Sequence, residues 1–232
     1  MQNNLDFDIS KKTEIDKTFR VQKIMADFDL KEEHSNEEFK GQIEMPENWN
    51  IGVIVGNSGT GKTTIAKELF KKQLEENFEY KSKSVIDDMP KECSVEEICK
   101  MFYSVGFGSV PSWLKPYKVL SNGEKMRVDL ARKLLQNDFI VFDEFTSVVD
   151  RQVAETMCIA TNKAIKKLNK KIVVISCHYD ILNWLQPDWV FDTNKMQSFF
   201  MQSHELKKDL QLENVVSMSG KNLGDIIIWT QA

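Results

Sequence analysis

The sequence is poor in three things that would fix its class at once: paired cysteines, long apolar runs and charge of one sign. Its four cysteines, Cys93, Cys99, Cys158 and Cys177, include no C-x-x-C pair. No metal or redox motif is written in that spacing, and reduced, mostly buried thiols are expected. The longest apolar stretches, at residues 51–55, 139–142, 172–175 and 226–229, are strand-sized. They fall far short of the ~18 residues a membrane-spanning helix needs. Residues 1–6 lack the charged-then-apolar pattern of a secretory leader, so a soluble, cytoplasmic protein is the expectation. A formal net charge of −4 and a pI near 5.6 exert no global pull toward nucleic acid or anionic lipid. The pairs Lys71-Lys72, Lys166-Lys167, Lys170-Lys171 and Lys207-Lys208 fit solvated helix surface.

What is present suits one large domain, or one domain with an insert. The chain has 232 residues, 41% hydrophobic and 28% charged, with no internal repeat or low-complexity segment. Residues 1–18 read as polar and loose. Residues 19–30 and 39–45 read as two antiparallel strands with a charged turn between them. After the break at Pro46-Glu47-Asn48, residues 49–55 form a short apolar strand. Residues 63–77 place Ile65, Leu69, Phe70 and Leu74 at helical spacing. Residues 81–88 suggest a strand, and Ser94-Val95-Glu96-Glu97 opens a helix with a capping-box pattern. Helices follow over 124–136 and 152–168, with buried strands at 139–142, 172–176 and 189–192 and a short helix at 181–185. The alternation from residue 49 to 192 predicts an α/β fold with a largely parallel sheet and helices on both faces.

Chemistry concentrates first at Gly56-Asn57-Ser58-Gly59-Thr60-Gly61-Lys62-Thr63, a complete phosphate-binding loop after a strand and before a helix. Its glycines let backbone N–H groups turn inward around phosphate oxygens, and the helix N-terminus adds partial positive charge. Lys62 supplies an ammonium to the β- and γ-phosphates. Thr63 offers a hydroxyl to Mg²⁺, and Thr64 reaches the α-phosphate. Asp143 and Glu144 end the apolar run Phe139-Ile140-Val141-Phe142, and carboxyl ends of parallel strands face the ligand crevice. Asp143 suits Mg²⁺, and Glu144 suits accepting a proton from attacking water. Cys177 beside His178 leaves two readings, a ligand pair or the end of a buried strand; the apolar, β-branched stretch before it favours the strand. Ser121-Asn122-Gly123-Glu124, taken alone, is a capped helix start.

Together these segments resemble the ABC-type ATPases. Leu120-Ser121-Asn122-Gly123-Glu124 is similar to that family's LSGGQ signature and lies where the family places it, between the phosphate loop and Asp143-Glu144. Ser147-Val148-Val149-Asp150 resembles the D-loop, and His178 matches the switch histidine. The resemblance implies a P-loop NTPase of ABC type with an N-terminal antiparallel β subdomain and a short helical subdomain near residues 88–135. It implies ATP and Mg²⁺ as ligands, and a homodimer in the ATP-bound state. There Ser121 and Gly123 of one copy would reach the γ-phosphate held by the other, Asp150 would work at the seam, and His178 would contact the γ-phosphate.

Three departures qualify this. Where the family carries a glutamine before its helical subdomain, the sequence has Val85-Ile86-Asp87-Asp88. The helical segment is short for one that grips a membrane subunit. Phe28 stands near the place of the adenine-stacking aromatic but too far from Lys62, so that role and a role in the sheet core both stand. The run 110–124 resembles soluble members related to ABC ATPases fused to acetyltransferase-like domains. The implied domain covers residues 19–194, with 195–232 as an extension of unknown role. Mg²⁺-dependent ATP hydrolysis coupled to a partner process is the leading expectation. The alternatives are a nucleotide-gated module for a nucleic-acid or protein effector, and a transporter's motor subunit that would need a membrane partner, having no transmembrane segment of its own.

Overall fold

The computed structural model describes residues 3–12, 16–30, 36–74 and 78–200. Its centre is a five-stranded sheet in the order β4 (Phe139–Phe142), β5 (Lys171–Ser176), β3 (Ile51–Val55), β6 (Trp189–Asp192), β7 (Gln197–Phe200). The first four strands are parallel, and β7 closes one edge antiparallel to β6. The central strands are apolar on both faces because both faces are covered. Along β3, Ile51, Val53 and Val55 join one core, which reaches into Phe102, Leu130, Met157 and Leu185. Ile54 turns to the other, with Ile65, Phe70, Trp189 and Phe191. In β5, Ile172 and Val174 face the first core and Val173 and Ile175 the second, as a two-residue side-chain period requires.

Helix α2 (Lys62–Leu74) lies over the second core. On the first lie α3 (Val95–Ser104), α5 (Asn122–Gln136), α6 (Arg151–Leu168) and the short α7 (Ile181–Leu185). The expected helical segment is α3, a four-residue α4 (Val110–Trp113), a 3₁₀ turn at Tyr117–Val119, and α5. Ser94 caps α3 with the expected box: its hydroxyl accepts from the Glu97 N–H, and the Glu97 carboxylate accepts from the Ser94 N–H.

The N-terminal third departs from the sequence reading. Residues expected to be loose form β1 (Asn3–Lys12), paired antiparallel with β2 (Asn36–Met45) over ten residues. Leu5, Phe7 and Ile9 alternate with polar side chains, a two-residue period that a count of polarity conceals. Residues 19–27, expected as a strand, form helix α1 (Phe19–Asp27), capped by the Thr18 hydroxyl. Val21, Ile24, Met25 and Phe28 are spaced for a helix face, yet α1 buries none of its residues. The charged turn expected between the two strands lies largely outside the described residues.

Residues 81–88 form no strand. The Asp88 carboxylate accepts from the Lys81 and Ser82 N–H groups, taking donors a strand ladder would use, and Val85–Asp88 winds into a 3₁₀ turn. The sheet also runs past residue 194 into β7, so the start of the expected extension is sheet edge. Among the described residues no helix is long and apolar enough to cross a membrane.

Candidate nucleotide site

All the predicted phosphate-side groups emerge from the carboxyl ends of the parallel strands. The loop 56–63 leaves β3 and turns into α2. Gly56 and Gly61 are fixed by crowding as much as by turning: a Cβ on Gly56 would lie 2.1 Å from the Thr193 hydroxyl oxygen, and one on Gly61, at φ +83, 2.4 Å from the Phe39 ring. Thr60 accepts or donates across 2.6 Å to Thr193 and donates to the Asn57 carbonyl at 2.9 Å. The Asn57 N–H donates to the Asn194 side chain. The loop is thus braced from β6 and the residues after it. Lys62 folds over its own loop, donating to the carbonyls of Gly56 (2.8 Å) and Asn57 (2.6 Å). Burial pushes its pKa down, against the pull of Cys177 and Asp143.

A cavity of about 390 Å³ collects Ser58, Gly59, Gly61, Lys62, Thr63, Thr64, Asp143, Glu144, Ser147 and Cys177 around one space. Asp143 accepts from the Glu144 N–H at 2.8 Å. Glu144 itself sits in the left-handed region at φ 52, as does Thr146 at φ 66. Such non-glycine backbone costs ~1 kcal/mol or more and collects at functional sites. The turn is held by neighbours: the Phe145 N–H donates to the Ile175 carbonyl, and the Ser176 hydroxyl donates to the Phe145 carbonyl. Ser176 also accepts from the His178 N–H at 3.1 Å, tying the acidic turn to the histidine. His178 is half-buried beside Arg151, and burial first, then the guanidinium, hold its pKa below the ordinary value. Cys177 follows β5 directly, so the stretch before it is the end of a buried strand, as the apolar reading has it.

Thr63 and Asp143 line the cavity together with further oxygen donors, Thr64, Glu144, Ser147 and Glu37. Among the described residues no group of three or more His, Cys, Asp or Glu could hold a metal alone. A cation here would therefore depend on phosphate oxygens for much of its shell, as Mg²⁺ characteristically does.

Ser121, Gly123, Asp150 and His178 do not line this cavity. Ser121 caps α5: its hydroxyl accepts from the Glu124 N–H, and the Glu124 carboxylate accepts from the Ser121 N–H and hydroxyl. Hydrogen bonds from Ser112 and then Ser121 outweigh burial and hold the Glu124 carboxyl below its usual range. Gly123 is buried, and a Cβ there would lie 3.3–3.4 Å from Arg127, Val153 and Val149. Asp150 caps α6 by accepting from the Val153 N–H at 2.9 Å. Arg151 beside it pairs with Asp180 and lies over the Trp184 ring.

Phe28 caps α1 at its C-terminus and is 70% exposed, which removes the sheet-core alternative. Asp87 and Asp88 line no part of the phosphate cavity; Asp88 is occupied by its own loop. Three groups were missed. Lys11 of β1 donates to the Thr64 hydroxyl at 2.8 Å, Glu37 of β2 lines the cavity, and Phe39 covers Gly61. Lys11 and Glu37 are direct partners across the β1–β2 pair. The alternation of Leu5, Phe7 and Ile9 was the one available signal, since it places Lys11 near the end of a strand.

Comparison with known proteins follows the same lines. No curated protein matches the chain in sequence. Among solved structures, the chain is similar to the bacterial ABC transporter cassette MJ0796 in a dimeric structure, with a TM-score of 0.55 and 14% identity over 72% of this chain and 93% of that one. It is also similar to that cassette in a dimeric post-hydrolysis state bound to ADP and Pi (0.58, 10%, 87% and 100%). A third is cbiO1 from Clostridium perfringens, part of the ABC transporter complex cbiONQ (0.59, 19%, 80% and 89%). At these identities the likeness establishes the fold, an ABC ATPase-like α/β arrangement with a mostly parallel sheet and a two-stranded N-terminal sheet. The family model described as an AAA domain matches residues 47–175, more than half of the chain and the span from β3 into β5, and the chain belongs to that AAA domain family.

Proposed function

We propose that the protein is an ATPase of ABC type that binds ATP at loop 56–63 and hydrolyses it where two copies meet head to tail. The observation that carries this reading is the division of the site. The loop, Lys62, Thr63, Asp143 and Glu144 share one cavity within a chain, whereas Ser121, Gly123 and Asp150 lie on other elements and do not enter it. A second copy supplies the missing wall. The loop amides and Lys62 neutralise phosphate charge, and Lys62 exchanges its two backbone carbonyls for phosphate oxygens. Thr63 and Asp143 would hold Mg²⁺, which when bound offsets charge on the β- and γ-phosphates. Glu144 accepts the proton of the attacking water. Ser121 and the N–H of Gly123, at the positive end of α5, face the γ-phosphate of the partner copy. His178, kept neutral by its surroundings, acts as a hydrogen-bond partner to that phosphate.

The ATPase unit runs from β1 through β7, and the stretch 110–124 supports placing it among soluble members related to acetyltransferase-fused ABC ATPases. Closure and reopening of the pair then drive a partner process. Light scattering of the Glu144→Gln protein with ATP and Mg²⁺ tests the reading. A dimer with ATP that dissociates with ADP is expected, and a monomer under every condition overturns it.

A further inference from the structure

One half-buried polar cluster lies outside the phosphate cavity. Tyr80 and Tyr117 stack face to face, with ring centres 3.9 Å apart and planes within 1°. Both hydroxyls donate to one carboxylate: Tyr80 to Asp129 Oδ1 and Tyr117 to Asp129 Oδ2, each at 2.7 Å. The stack is flanked by cations. The Arg132 guanidinium lies 5.0 Å from the Tyr80 ring centre and 4.5 Å from that of Phe78, and Lys125 lies 5.8 Å from that of Tyr117. Arg132 also donates to the Glu79 carbonyl, and Lys133 to the Gln73 carbonyl at the end of α2.

Lys125, Asp129, Arg132 and Lys133 recur every three or four residues, so one face of α5 meets Tyr117 through Lys125 and Asp129, and the end of α2 and the segment after it through Asp129, Arg132 and Lys133. Burial raises the Asp129 pKa despite both phenols and the nearby Lys133 and Arg132. Desolvation raises the pKa of both tyrosines most, with Asp129 adding to it, so both phenols remain protonated donors.

The cluster's position gives it a task. Tyr117 lies four residues before Ser121 in the chain, and Asp129 two helical turns beyond it. Tyr80 comes from the segment after α2, the helix that begins at Lys62. A cavity of about 260 Å³ is lined by Tyr117, Lys125 and Asp129 together with Asp143 and Glu144. Two phenols on one carboxylate fix direction in a way apolar packing does not, since each donor has one bonded geometry. We propose that Tyr80, Tyr117 and Asp129 form a positioning latch that sets α5, and with it Ser121 and Gly123, relative to the phosphate-loop helix, so that each copy presents its signature segment at the angle its partner's nucleotide requires. The proposal rests on the dimeric reading given above.

Tyr117→Phe and Tyr80→Phe each remove one donor and keep the ring stack. Each is expected to lower kcat about tenfold, the scale of a lost bond to a charged acceptor, and to leave the affinity of the isolated subunit for a fluorescent ADP analogue within about twofold. In the Glu144→Gln background each should raise the protein concentration needed for ATP-driven dimerisation by a similar factor. Circular dichroism melts accompany both variants, and whichever remains folded decides the matter. Dimerisation unchanged from Glu144→Gln alone overturns the latch and leaves the dimeric reading intact. Loss of ADP affinity in step with a lowered Tm also overturns it, since the cluster is then only part of the fold. A Glu144→Gln protein that never dimerises removes both the reading and the latch, and that parent control identifies the case.

Discussion

Around loop 56–63 the side chains converge and the backbone bears strain to aim them: Glu144 and Thr146 are both left-handed, and Lys62 is held over its own carbonyls. Around residues 120–124 and 150 comparable residue types are at rest. Ser121 and Asp150 cap helices, and Gly123 makes room between α5 and α6. The first region is organised for chemistry before anything binds. The second is in full local employment, and on the proposed reading its groups exchange internal partners for the partner copy's nucleotide. The proposed two-copy site accounts for this asymmetry, because a half supplied by the partner and pre-set with unsatisfied groups would be costly in the free subunit.

The largest test of this contrast is Glu144→Gln, which keeps shape and removes the basic oxygen. Turnover should fall by about 10²–10⁴-fold, measured as phosphate release under saturating ATP. ATP binding should survive, because no other phosphate-side group changes. A variant with near-wild-type turnover would move the base elsewhere in the cavity.

Lys62→Ala comes next. The ammonium is partly desolvated, and burial has already lowered its pKa, so much of its hydration has been given up in the free subunit. Its charge-assisted bonds to phosphate are then strong, and their loss should weaken ATP binding about a hundredfold, read by fluorescence titration. Stability should change little, since the two carbonyls it releases can turn to water.

The cis region was also the part most legible in the sequence, for a physical reason. The loop is contiguous, and its flanking strand and helix are next to it in the chain. The strands that aim Asp143 and Cys177 are apolar on both faces and announce themselves. What was not legible depends on pairing over distance. Lys11 meets the site because β1 finds β2 across an intervening helix, and Tyr80 reaches Asp129 over 49 residues. Helix α1 was misread because a short amphipathic stretch resembles a strand in composition, and with nothing buried its solvent-facing pattern carries no packing signal. The trans region was legible only through family resemblance. Its residue types also suit the capping and packing that the structure displays, so motif and local geometry agree without distinguishing the two roles.

Ser121→Ala separates those roles. Losing the cap should cost about 1 kcal/mol, or about 2–4 °C in Tm for a domain of this size. The protein holds its own control: Ser94 caps α3 with the same box to Glu97 and has no part in the proposed site. Ser94→Ala should cost similar stability and leave turnover unchanged, while Ser121→Ala should lose about a further tenfold in kcat. Equal turnover in the two variants would make the Ser121 region structural and erase the contrast between the halves.

The smallest effect expected is at His178, which stands between the regions, bonded through its N–H to Ser176 and facing Arg151 and Asp180. Burial and then Arg151 depress its pKa, with Asp180 opposing them. The unfolded chain therefore takes up a proton before the folded protein does. The stabilising contribution is fully present above pH ~6.5, the ordinary histidine value, and is lost progressively as pH falls from there toward the folded value. Carboxylates titrate in part of the same window, so the readout is the difference between wild type and His178→Gln. The wild-type Tm should fall more steeply between pH 7 and 5, by no more than about 2 °C, because much of the ring is open to solvent. ATP turnover should decline over the same range: the charged imidazole still donates to phosphate but no longer keeps a free nitrogen to accept from and position the attacking water. A histidine with no such difference in Tm and no acid limb in turnover would belong to the resting half of the site rather than to the half prepared for chemistry.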